Sequence, residues 1–146
     1  MRSLDDPQFL REIIMDHYQH PRNRGLVDDE SYKKINMNSE TCIDNLDIQV
    51  KFNGDKIADV RYDGEACAIC TSSTSIMSEL VIGKTIDEAK EIIDNYMNMI
   101  YEREYDEDLL EEAIAFKNTY KQANRIKCAT IGWKAMEEMI EESEAK

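Results

Sequence analysis

The residues with the most chemical potential are the four cysteines, Cys42, Cys67, Cys70 and Cys128. They are too widely spread for a compact zinc finger. In a reducing compartment, cysteines spaced this way serve more often as metal ligands or reactive thiols than as disulfide partners. Zinc takes four tetrahedral ligands from Cys, His, Asp or Glu. Asp44, two residues after Cys42, is near enough to be the fourth beside Cys42, Cys67 and Cys128. Three thiolates and a carboxylate around Zn²⁺ would leave a charge of about −2. Arg125 and Lys127, just before Cys128, could offset part of it. The same donors suit iron or a [2Fe–2S] cluster. Cys67-Ala68-Ile69-Cys70 has the spacing of a redox pair, but no βαβ pattern surrounds it. Two readings of Cys70 stay open: an inert core thiol, or an alternative ligand in place of Asp44.

Positioning these residues falls to the elements around them. Phe9, Leu10, Ile13, Ile14 and His17 recur at helical spacing, with Ser3 as a possible cap and Pro21 ending the run. A short strand is possible near Ile35 to Met37. Leu46, Ile48, Val50 and Phe52 alternate as a half-buried strand, and Ala58, Val60 and Tyr62 as a second. Asn53-Gly54 suggests a two-residue hairpin turn, but parity favours a three-residue loop over Asn53 to Asp55. That loop sets Val50 against Ala58 and Ile48 against Val60.

Past Gly64 the period becomes helical. Ile69, Ser73, Ile76, Met77 and Leu80 share one face; Thr85 caps a third helix; Leu109 to Phe116 forms another run. The last helix is expected to start near Cys128, with a frayed tail over Glu141 to Lys146. Cys42 thus precedes a strand, while Cys67 and Cys128 open helices, where backbone amides favour thiolates. Such element ends can converge at one edge of the fold. The order predicts an α+β domain spanning residues 1–146, a small antiparallel sheet of about three strands with helices packed on one face. His17 reads as a satisfied core histidine, and His20 as a residue flanking the helix end. The methionines read as core filling, and the acidic runs as solvated helix faces.

A net charge of −13 argues against a nucleic-acid surface. Nothing resembles a signal peptide, and no apolar run reaches the roughly 18 residues of a membrane span. A cytoplasmic location is the default expectation.

The run Asp16-His17-Tyr18-Gln19-His20-Pro21-Arg22-Asn23-Arg24-Gly25 resembles the opening signature of the U-type iron–sulfur assembly proteins, the family of IscU and SufU. So do Cys42-x-Asp44, Gly64-Glu65-Ala66-Cys67, the helix with Ser72-Ser73-Thr74-Ser75, and Arg125-Ile126-Lys127-Cys128-Ala129-Thr130. The likeness runs in order from about residue 5 to 140. IscU-type members carry a histidine directly before the last cysteine and a shorter preceding linker. Lys127 stands there in this chain, and the acidic segment around Glu102 to Tyr120 is extra; both resemble the SufU type. Ile43 and Ala66 replace family glycines, and Cys70 stands where a small or hydroxyl residue is expected.

The resemblance implies a SufE/NifU-like fold and a zinc site made by Cys42, Asp44, Cys67 and Cys128. It implies persulfide transfer onto Cys42 from a pyridoxal-phosphate cysteine desulfurase of the SufS kind, zinc holding Cys42 until a partner histidine displaces it. The chain would then be a sulfurtransferase-like sulfur carrier rather than a stand-alone enzyme, serving downstream cluster-assembly proteins. It makes neither His17 nor His20 a ligand. A [2Fe–2S] scaffold on the same cysteines and a purely structural zinc adaptor are the alternative expectations.

Overall fold

Asp6 caps the first helix: its side chain accepts the Gln8 amide at 3.0 Å, and Pro7 occupies the first helical position. This cap replaces the expected Ser3, which lies outside the residues described by the computed structural model, 6–38 and 44–144. Helix α1 (Pro7–Gln19) leads through a polar connection to three strands, β1 (Lys33–Asn38), β2 (Asn45–Asn53) and β3 (Lys56–Glu65). Helices α2 (Ala68–Val81), α3 (Ile86–Ile100) and the short α4 (Glu107–Leu110) follow. Two 3₁₀ segments, Glu111–Phe116 and Thr119–Lys121, then precede the long α5 (Ala123–Glu144). Thr85 and Glu88 form a reciprocal capping box on α3, as the Thr85 signal predicts.

The sheet is antiparallel, ordered β1-β2-β3. Pairing of Ile35 with Ile48, Met37 with Leu46 and Val50 with Val60 puts the apolar side chains on one face, against the helices. The other face is polar, with Asn36, Asp47 and Asp63 in line. Gln49 is buried on that side because it exchanges hydrogen bonds of 2.8 and 2.9 Å with the Val27 main chain.

The hairpin corrects the expected register. Asn53 pairs with Lys56 around a two-residue turn whose Gly54 has φ +64°. A bulge then lets Lys51 pair with Asp59 while Phe52 pairs with Ile57. The extra residue, Ala58, restores the parity that the three-residue loop was meant to supply. Ile48 therefore faces Tyr62, not Val60.

At the centre stands α2, with eleven buried positions from Cys70 to Val81. Several are Ser or Thr, whose hydroxyls return to helix carbonyls, as Ser72 to Ala68 and Ser78 to Ser75. Their small size lets neighbouring helices come close. At Gly132 on α5 an added Cβ would lie 2.5 Å from Thr74 Oγ1. Two further expectations change. α5 begins at Ala123, so Cys128 lies in its second turn instead of opening it, and the tail stays helical to Glu144. Among the described residues, no helix is long and apolar enough to cross a membrane.

Candidate metal centre

Three of the predicted residues meet at one end of the sheet. Asp44 immediately precedes β2, Cys67 is the N-cap of α2, and Cys128 lies on α5. One donor atom from each lies within 4.8 Å of the other two. Asp44 and Cys128 are buried, and Cys67 is half-buried. Asp44 Oδ1 accepts the Cys67 amide at 2.8 Å, which ties the strand end to the helix start. Its Oδ2 lies 3.9 Å from Cys67 Sγ. Thiolate and carboxylate donors sharing a tetrahedral zinc stand about 3.5 Å apart, so this chemistry and spacing fit a metal. Cys67 Sγ also accepts the Cys70 amide at 3.4 Å, closing the first turn of α2.

The approach of strand and helix is set by the main chain. Gly64, opposite Leu46 in the sheet, has φ +136°, and a Cβ there would fall 2.2 Å from Asn45 O. Only glycine lets β3 pass this close to the residue after Asp44 before turning towards Cys67. On the third side, the carbonyl next to Cys128 is held firmly. Ser73 Oγ donates to Ala129 O at 2.6 Å, and Tyr96 donates to the same oxygen at 2.7 Å. Trp133 Nε1 donates to Ser73 Oγ at 2.9 Å, and the Tyr96 and Trp133 rings stack at 3.8 Å. Burial pushes the Tyr96 phenol far up, so it stays a neutral donor. Sequence periodicity puts Ser73 on the apolar face of its helix; that Ser73, Tyr96 and Trp133 converge on one carbonyl beside a cysteine has no local signature.

The other predicted residues divide. Cys42 lies outside the described residues. Cys70 is buried in the core and is not one of the three donors that meet. Arg125 and Lys127 are exposed on the first turns of α5. His17 is buried, as expected, but only half satisfied: Nδ1 bonds Ser75 Oγ at 2.8 Å, while Nε2 makes no hydrogen bond.

Comparison with known proteins agrees with this architecture. The chain is 36% identical over 135 residues to the zinc-dependent sulfurtransferase SufU of Bacillus subtilis, covering 92% of this chain and 90% of that protein. It is 35% identical over 132 residues to the iron–sulfur cluster assembly scaffold protein IscU of Streptococcus pyogenes, covering 90% of this chain and 82% of that one. Among solved structures it resembles FiSufU of Fervidobacterium islandicum, a candidate cluster assembly scaffold for the SUF system. The TM-score is 0.82 at 36% identity, over 86% of this chain and 92% of that one. Residues 10–146 match the NifU-like N terminal domain. With the family match running from residue 10 to 146 and the fold in agreement, the chain belongs to the NifU-like N-terminal domain family.

Proposed function

We propose that this chain is a zinc-dependent sulfur acceptor in iron–sulfur cluster assembly, working as one domain in the cytoplasm with a SufS-like cysteine desulfurase. Cys42, Asp44, Cys67 and Cys128 are its zinc ligands, and Cys42 is the acceptor. The observation that carries the reading is the meeting of Asp44, Cys67 and Cys128 donors, from three separate elements, at the strand that Cys42 precedes. The name of the B. subtilis relative supports it. Bound zinc would keep the ligating thiols deprotonated.

In the transfer, the Cys42 thiolate attacks the terminal sulfur of a persulfide on the desulfurase cysteine. A new S–S bond forms on Cys42, the old one breaks, and the desulfurase cysteine leaves as thiolate. One sulfur atom moves, with no net oxidation. Asp44 and Cys67 hold each other through the 2.8 Å amide bond, so the remaining donors stay in place while Cys42 is engaged.

The test is desulfurase turnover with and without the protein. Cys42→Ala is expected to stay folded and to lose all stimulation; normal stimulation by that variant would end the transfer mechanism. A second reading, a [2Fe–2S] scaffold on the same residues, is favoured by the likeness to the S. pyogenes protein. Protein purified without oxygen separates the two: colourless with zinc supports the acceptor, and stoichiometric iron with charge-transfer bands supports the scaffold.

A further inference from the structure

His17 lies on α1 with no solvent exposure, and its Nε2 is a buried polar atom without a hydrogen bond. A buried polar atom left without a partner keeps an unmet desolvation cost. Carboxylates surround it. Glu112 Oε2 lies 3.4 Å away, and Glu79 Oε1 lies 3.7 Å away. Asp16, His17 and Glu112 also offer donor atoms that all lie within 4.8 Å of one another. These groups come from α1, α2 and the 3₁₀ segment after α4. Arg22 stands at the rim, bonding Asp16 Oδ2 at 2.7 Å and reaching Glu79 Oε1 at 3.8 Å.

The distances decide between two arrangements. A histidine donating directly to a carboxylate closes to about 2.7–2.9 Å. Two donors bound to one tetrahedral zinc at about 2.0–2.1 Å stand about 3.3–3.5 Å apart. The observed 3.4 Å to Glu112 matches the shared ion better than the direct bond. The backbone adds to this. Glu111, immediately before Glu112, has φ +46° and ψ −121°, a conformation that a side-chain-bearing residue rarely adopts. Strain of this kind persists where the surroundings impose it, often at ligand clamps.

We propose that His17, Glu112 and Asp16 form a second metal site, for a divalent first-row cation such as Zn²⁺, with Glu79 at its edge. One imidazole and two carboxylates are borderline-to-hard donors, unlike the thiolate set around Cys67. The two sites are separate, because Cys67 caps the start of α2 and Glu79 lies near its end, about 18 Å along the axis. An ion here would pin the 3₁₀ segment to α1.

Metal-free full-length protein is dialysed against Zn²⁺, and bound zinc per chain is measured by mass spectrometry. Glu112→Gln is the principal variant, because Glu112 is exposed and its loss leaves the core intact. Glu112→Gln, Asp16→Asn and His17→Gln should each bind one ion fewer than wild type, while the adjacent Glu111→Gln should bind as many. With Co²⁺ in place of zinc, Glu112→Gln should keep the thiolate charge-transfer absorption and Cys128→Ser should lose it. Wild-type stoichiometry in both Glu112→Gln and Asp16→Asn would overturn the site and leave His17 a core histidine beside two carboxylates. So would a wild type whose only ion disappears in Cys128→Ser. Failure of the cysteine centre reads differently: Cys128→Ser would match wild type, and Glu112→Gln would still lose its ion.

Discussion

In Asp44 the two carboxylate oxygens face different groups, Oδ1 the Cys67 amide and Oδ2 the Cys67 sulfur. A substitution pair separates these roles. Asp44→Asn keeps an acceptor for the amide but loses the anionic donor, so it should fold normally and bind zinc at least about tenfold more weakly. Asp44→Ala should also lose about 1–3 kcal/mol of stability, because a part-buried amide is left without its acceptor. Chelator competition and urea denaturation measure the two effects. Zinc affinity unchanged in both variants would move the fourth ligand to Cys70. That Asp44, Cys67 and Cys128 could come together was legible in the sequence, because widely spaced donors near element ends can converge at one edge of a fold. The half-satisfied His17 was not. Periodicity reports that a face is buried, but it cannot report which of two ring nitrogens finds a partner.

For strands and helices, the apolar period placed most of the architecture, and the errors lie where it is silent. Alternation fixes which side of β2 and β3 is buried, but a bulge at Ala58 preserves that alternation while shifting the register. The start of α5 was missed because residues 117–127 are largely polar, and the lone Ile126 gives no helical period to mark the turn that begins at Ala123. The close packing of α2 on α5 gives a prediction. Gly132→Ala puts a methyl 2.5 Å from Thr74 Oγ1 and 3.1 Å from Thr74 Cγ2, so the helices must move apart. The expected cost is about 1–3 kcal/mol, read as a lower Tm. Because Ala129 and Cys128 ride on the same helix, zinc affinity should fall with it. Unchanged stability would mean that Thr74 rotates away freely.

Across the molecule, helices and sheet share one apolar cluster that includes Leu46, Met77, Tyr96 and Met136. Burial in that cluster shapes the response to pH. It pushes the Tyr62 phenol up from 10.0 to about 12, and the Tyr96 phenol is raised by the same cause. A group whose pKa is higher folded than unfolded contributes its full stability below the unfolded value. Between pH 10 and about 12 the unfolded chain ionises while the folded one stays neutral, so stability falls across that window. Urea denaturation from pH 8 to 12 should show a shallower decline in Tyr62→Phe than in wild type. Identical slopes would remove Tyr62 as a cause. The α+β layout was legible from element order alone, whereas these depths of burial required the packed structure.

The sulfur of Cys67 carries a further consequence, because it accepts the Cys70 amide while facing Asp44. That amide proton is a spectator with a direct view of the sulfur's electron density. Its nuclear resonance and its exchange with deuterium should change with each chemical state of Cys67. Thiol, thiolate, metal-bound sulfur and oxidised sulfur would each leave a different signature on one main-chain hydrogen, giving this protein a built-in gauge of its own loading.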